Sequence, residues 1–108
     1  MREKALKLLG LMRRAGAIAL GEIDTGTAAK AGKAKLLLLA ADASDNALGR
    51  AEGYAHGRGI PLVRLPFMKD EMSRSVGKGC AMAAVCDAGF ADALMKLLEQ
   101  MSETSEQV

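Results

Sequence analysis

The side chains in this sequence best suited to covalent or metal chemistry are few: one histidine, His56, and two cysteines, Cys80 and Cys86. A hydrolase or transferase needs a nucleophile held against a base. His56 falls beside Gly57 at the end of a helical stretch, where a solvated or C-capping role outweighs general-base work. Cys80 and Cys86, six positions apart in one apolar run, point to the same face if that run is an extended strand, and read as buried small hydrophobes. With a single histidine they fall short of the four ligands of a structural zinc site. Asp42 and Asp45 lie in a polar loop before a helix, where capping explains them. The Gly77-Lys78 pair fails as a phosphate loop, because the earlier glycine of that motif would fall at Met72 and its hydroxyl at Gly79. Gly57-Arg58-Gly59 lacks the third glycine of a dinucleotide fingerprint and has Leu62 there. No catalytic residue, metal site or cofactor is expected.

Charge is the more informative feature. Residues 1–40 carry eight Lys/Arg (Arg2, Lys4, Lys7, Arg13, Arg14, Lys30, Lys33, Lys35) against three acids, whereas residues 71–108 carry three bases against six acids. Such asymmetry within a chain of net charge +2 suggests one side turned towards a polyanion. Aromatic residues are only 3%, which excludes a platform of stacked rings for unpaired bases. No apolar stretch approaches the roughly 18 to 20 residues of a membrane helix, and the start of the chain lacks a signal-peptide core. A reducing cytoplasm and no membrane partner are expected.

The elements that must position these residues follow from periodicity. Arg2 to Arg14 place Ala5, Leu8, Leu9 and Met12 at helical spacing with a basic back. Ala17–Leu20 reads as a strand closed by Gly21. A helix from Glu22 to about Ala31 has acids in its first turn, Lys30 in its last and Gly32 as its stop. Lys35–Ala41 is continuously apolar, the pattern of a central strand covered on both faces. The loop Asp42–Asn46 leads into a helix ending near His56, and Pro61–Leu65 is the next strand. Asp70–Val76 is a short helix stopped by Gly77, and Ala81–Cys86 another buried strand. Gly89 to about Leu98 is the last helix, leaving residues 99–108 as a polar mobile tail behind a single domain spanning 1–98. Strict α-β alternation argues for one sheet, at least partly parallel, with helices on both faces.

Gly21 through Ser44 combines a glycine opening a helix, Gly32-Lys33-Ala34-Lys35 leading into an apolar strand, and Asp42-Ala43-Ser44 following it. Ile60-Pro61, Val76-Gly77-Lys78 and Asp87 to Ala91 continue the pattern in order. Over about residues 5–98 the sequence resembles the L7Ae/L30e superfamily of ribosomal proteins, especially its small bacterial members. That resemblance implies a three-layer α/β/α sandwich on a four-stranded, partly parallel mixed sheet, binding structured RNA such as a kink-turn. It implies that the start of the second helix meets the bent RNA backbone and its sheared G·A pairs, and that the loop after the fourth helix covers extruded bases. The physical logic is that helix N-termini offer free N–H groups to phosphates and that RNA is read through shape and unpaired bases.

Kink-turn members carry Gly-x-Asn-Glu-x-x-Lys at this helix, whereas here Gly21 is kept, Ile23 replaces Asn, Asp24 replaces Glu and Thr27 replaces Lys. Neither Ile nor Thr supplies an amide or a phosphate-binding charge, so the motif is weakened. Asp24 serves either as an acceptor for a guanine edge or as a first-turn helix acid. Lys30, Lys33, Lys35 and Lys78 provide phosphate contacts or a solvated rim, and Gly77 and Gly79 a close approach or a helix stop and turn. The expected RNA face is Gly21, Glu22, Ile23, Asp24, Thr27, Lys30, Lys33, Lys78 and Gly79. The expected protein is a non-enzymatic, cytoplasmic RNA binder, with ribosomal RNA and ribosomal proteins as partners. Two alternatives stand beside it. One is a protein-interaction module that has lost kink-turn specificity, and the other an accessory RNA-recognition subunit for a modifying enzyme.

Overall fold

The computed structural model describes residues 1–106, and side-chain surroundings for residues 1–102. The element order is α1 (Arg2–Arg14), β1 (Ile18–Leu20), α2 (Glu22–Lys30), β2 (Leu36–Leu39), α3 (Asp45–Ala55), β3 (Leu62–Arg64), α4 (Lys69–Val76), β4 (Met82–Val85) and α5 (Ala88–Glu106). The strands form one sheet in the order β1-β4-β2-β3. β4 is antiparallel to both β1 and β2, with Ala84 opposite Ala19 on one side and Leu37 on the other; β2 and β3 are parallel, with Leu38 opposite Val63. This is the α/β/α sandwich on a mixed, partly parallel sheet that the sequence led us to expect.

The uninterrupted leucines of β2 explain why two layers of helices can cover it. Side chains alternate across a strand. Leu36 and Leu38 therefore join Ala5, Leu9, Met12, Phe67, Met72 and Leu94 in one core, under α1, α4 and α5. Leu37 packs with Ala28, Ala29 and Ala84, and Leu39 with Ala51 and Met82, in the thinner cores under α2 and α3. The second layer is thin because its side chains are small. At Gly26 an added Cβ would stand 2.7 Å from the Tyr54 ring, so α2 and α3 approach as closely as they do only because that position has none.

Helix ends follow local chemistry. α1 and α2 both end in the paired bonds of a glycine C-cap: Ala17 N–H donates to Met12 C=O and Gly16 N–H to Arg13 C=O, as Lys33 N–H does to Ala28 C=O and Gly32 N–H to Ala29 C=O. Ser44 Oγ accepts from Ala47 N–H at 3.1 Å and starts α3. Asp42, in the same loop, reaches across to α4, where its Oδ1 accepts from Lys69 N–H at 2.8 Å. Arg2 ties α1 to α4, paired with Glu71 and lying 5.0 Å from the centre of the Phe67 ring.

Two expectations need correction. The last helix does not stop near Leu98 but runs to Glu106, because Leu94, Leu97, Leu98 and Met101 prolong its apolar stripe against the larger core. The stretch expected to be a mobile tail is therefore helical from residue 99 to residue 106, while residues 107–108 lie outside the described residues. Cys80 and Cys86 do not share a face. β4 spans only Met82–Val85, Cys80 lies before it and joins the larger core, and Cys86 lies after it against the opposite layer. Other element ends fall within one or two residues of expectation.

Candidate functional site

α2 begins abruptly at the end of the sheet. Gly21 sits at its N-cap with φ 91° and ψ 167°, a backbone conformation that an L side chain rarely adopts, and its N–H donates to Met82 C=O at 2.8 Å. No side chain caps the helix, which leaves its first-turn N–H groups and the positive end of its dipole directed outwards. Ile23, in that first turn, is 82% exposed, and Asp24 beside it is also exposed.

Around this helix end lies a cleft of about 490 Å³, lined by Leu20, Gly21, Glu22, Ile23, Asp24, Arg50 and Lys78. Three segments remote in sequence supply it: the start of α2, the middle of α3, and the turn that follows α4. Gly77 makes that turn possible by capping α4 in the left-handed conformation, with φ 74°, and Lys78 extends from it to the cleft. Arg50 enters as a partner of Glu22, with its Nη1 donating to Glu22 Oε1. The pair is solvent-exposed, and such pairs contribute only about 0–1 kcal/mol, so an incoming anion can take Arg50 from Glu22 cheaply. The cleft thus combines two cations and a helix N-terminus, which suit phosphate, with two carboxylates, which suit N–H donors on base edges.

Of the nine residues expected at the site, Gly21, Glu22, Ile23, Asp24 and Lys78 meet in this cleft. Thr27 and Lys33 do not. With Asp24 they line a smaller hollow of about 270 Å³ on the outer side of α2, and Thr27 Oγ1 donates back to Ile23 C=O at 3.1 Å. Lys30 stands at the far end of the helix, beside Lys35 and Arg58. Gly79 is exposed next to Lys78 and lines none of these clefts. Sequence reasoning missed Arg50. Helical spacing from Leu48 and Ala51 could have put it on an outer face of α3, but nothing in the linear sequence couples it to Glu22.

Both thiols stay protonated near neutral pH. Burial pushes the Cys80 thiol up, against the opposing pull of the Lys78 charge. It does the same at Cys86, against a hydrogen bond from the Ala19 backbone and the charges of Lys33 and Lys35. A reactive thiolate is not built here. Among the described residues no three His, Cys, Asp or Glu side chains are grouped to hold a metal ion, and no helix is long and apolar enough to cross a membrane.

Comparison with known proteins gives one consistent result. The sequence profile of the ribosomal protein L7Ae/L30e/S12e/Gadd45 family matches residues 3–95. The RNA-binding protein YlxQ of Enterococcus faecium is 33% identical over 98 residues, covering 91% of this chain and 94% of that protein. The protein of the same name from Bacillus subtilis is 34% identical over 97 residues, covering 85% and 92%. Among solved structures, a Bacillus halodurans protein of unknown function superposes with a TM-score of 0.82 at 29% identity, covering 89% of this chain and 97% of its own. A 15.5 kD RNA-binding protein of Giardia lamblia shares the fold, with a TM-score of 0.68 at 18% identity, over 91% and 84%.

Proposed function

The chain belongs to the ribosomal protein L7Ae/L30e/S12e/Gadd45 family, and from that premise we infer that it is a non-enzymatic RNA-binding protein of the cytoplasm. Its RNA face is the cleft at the start of α2. The observation that carries this reading is the convergence of an uncapped helix N-terminus, Arg50 and Lys78 on one open cleft, in a chain whose relatives include two named as RNA-binding proteins.

The preferred RNA is structured and sharply bent, as in a kink-turn within ribosomal RNA. Strand reversal crowds phosphates, and crowded phosphates suit a site with several donors in a small volume. Lys78 and Arg50 neutralise backbone charge, the α2 N–H groups bind one phosphate, and Asp24 accepts from a guanine edge. Ile23 lacks the hydrogen bonds of an amide, so it contributes apolar contact to an unstacked base instead.

Binding of the purified protein to a kink-turn RNA and to a matched straight duplex, at low and near-physiological salt, tests this reading. The kinked RNA should bind more tightly at both salt concentrations, and Lys78→Glu should weaken binding and flatten its salt dependence. Weak and equal binding to the two RNAs would overturn it. Exposed Ile23 favours a second reading, a protein-docking rim of the same fold. On that reading Ile23→Asp abolishes partner capture and leaves RNA affinity unchanged.

A further inference from the structure

The opposite end of α2 carries a second concentration of positive charge. Lys30, Lys35 and Arg58 line an open hollow of about 440 Å³ together with Gly32, Gly59 and Ile60. Two turns build it, the one joining α2 to β2 and the one joining α3 to β3. Among the described residues the ion pairs are Arg2 with Glu71, Arg50 with Glu22 and Lys96 with Asp92, so Lys30, Lys35 and Arg58 stand outside them, as does nearby Lys33. The Arg58 guanidinium is held over the end of α3, with Nη1 donating to Tyr54 C=O at 3.2 Å. The carboxylate that shares a neighbouring hollow with Lys35 is Asp92, already paired with Lys96 at 3.1 Å.

Helix C-termini attract cations, and that could account for one or two of these charges. The ends of α2 and α3 each contribute about half a negative charge. The three full positive charges that line the hollow exceed that by about two, and the excess calls for an anion. Gly32 and Gly59 hold left-handed backbone, with φ 74° and φ 68°, and a Cβ added at either would meet nothing within 4 Å. The floor of the hollow is therefore bare backbone open to a bulky anion. The exposed large hydrophobic residues of the described chain are Met1, Leu11, Ile23 and Met68, and none lines this hollow. An extended polyanion fits that surface better than a lipid bilayer or an apolar protein face.

We propose that Lys30, Lys35 and Arg58 form a second RNA contact, gripping the phosphate backbone of a helical stem that runs along α2 away from the cleft at its N-terminus. The inference rests on the RNA-binding reading above and adds a site to it. Nine residues separate Gly21 from Lys30, about 13 Å of helix at 1.5 Å per residue. A duplex carries a phosphate every 2 Å or so of its axis, so a stem laid along α2 offers several to the far hollow while its bent end occupies the cleft.

The experiment compares wild type with the double variant Lys35→Gln/Arg58→Gln on two RNAs that share one internal loop. In one RNA the stems are cut to about two base pairs, and in the other both extend a full helical turn. Affinity is measured from 50 to 300 mM KCl. Each lost phosphate contact lowers the salt slope by about 0.9, which is about eightfold in affinity at 0.1 M relative to 1 M. Wild type should bind the long-stemmed RNA more tightly and with a slope steeper by about 2.7, about 0.9 for each of the three cations. The double variant should lose on the order of tenfold to sixtyfold on the long stems and less than twofold on the short ones. Equal affinities of wild type and variant on the long stems, or equal losses on both RNAs, would overturn the second contact. Failure of the cleft reading looks different: wild type would not distinguish the internal loop from a plain duplex, whatever the stem length.

Discussion

Thr27→Lys should strengthen RNA binding, although it alters no buried contact. Thr27 is exposed and lies one helical turn beyond Ile23, on the face of α2 that leads from the cleft, with its hydroxyl bonded to Ile23 C=O at 3.1 Å. Losing that solvent-exposed bond costs little, and lysine is a better helix former than threonine by a few tenths of a kcal/mol. The new charge would stand three residues from Asp24 and three from Lys30, so attraction and repulsion of about 0.2–0.5 kcal/mol each nearly cancel. Folding stability should therefore change by less than about 0.5 kcal/mol. One added phosphate contact steepens the salt slope by about 0.9 and raises affinity about eightfold at 0.1 M salt.

Fluorescence anisotropy with a labelled kink-turn RNA at 50, 100 and 200 mM KCl measures both quantities. Leu11→Lys is the control, since it adds the same charge at an exposed position of α1, in the other helical layer. A long-range effect of net charge would move both variants alike, whereas direct contact would move only Thr27→Lys. If Thr27→Lys leaves the slope unchanged, or matches Leu11→Lys, the outer face of α2 does not lie along RNA and the placement of the site is wrong.

Other perturbations test the parts of the fold that hold the site. Thr25 is fully buried in α2 and its Oγ1 has no hydrogen-bond partner, so Thr25→Val should stabilise the protein by about 1 kcal/mol, raising the melting temperature by about 4–8 °C. A lower melting temperature would mean that the hydroxyl is bonded in solution. Gly21→Ala forces a side chain into backbone at φ 91°, which should cost about 1–3 kcal/mol in denaturant unfolding and weaken RNA binding as the start of α2 shifts. Burial raises both thiols above their usual value of about 9, so the native state keeps its protons where the unfolded chain gives them up. Stability should therefore be insensitive to these groups through neutral pH and fall above pH 9, and a Cys80→Ala/Cys86→Ala variant should lose part of that alkaline decline.

How far the sequence reveals this molecule depends on the range of the interaction concerned. The four leucines of β2 announce a central strand because only a strand covered on both faces is apolar at every position. Gly16, Gly32 and Gly77 announce helix ends because each caps its helix in left-handed backbone, a local requirement. Strand order is not local. Alternation of helices and strands does not say that β4 inserts between β1 and β2, antiparallel to both. The extension of α5 was hidden because Met101 stands alone among polar neighbours, and a single apolar residue conveys no periodicity. Arg50 was hidden for a different reason. Its approach to Glu22 follows from the contact between Gly26 and Tyr54, a coincidence of two helices that neither helix encodes by itself.

On the proposed reading, the same contact explains how a nine-residue helix of weak amphipathic character would serve as a recognition element. Its buried positions are Thr25, Gly26, Ala28 and Ala29, all small, so α2 lies close against the sheet and α3. Close seating leaves Ile23, Asp24, Thr27 and Lys30 on the open side and brings a cation from α3 to its first turn. A helix with large inward side chains would stand farther from α3 and hold Arg50 out of reach of Glu22. Small residues on one face thus fix where the charged residues of three segments meet. The replacement of amide and lysine by Ile23 and Thr27 takes hydrogen-bonding capacity out of the middle of this surface and leaves cations at its two ends. Affinity built that way depends more on phosphate neutralisation than on base-edge contacts, so its salt dependence should be steep and its discrimination among loop sequences shallow.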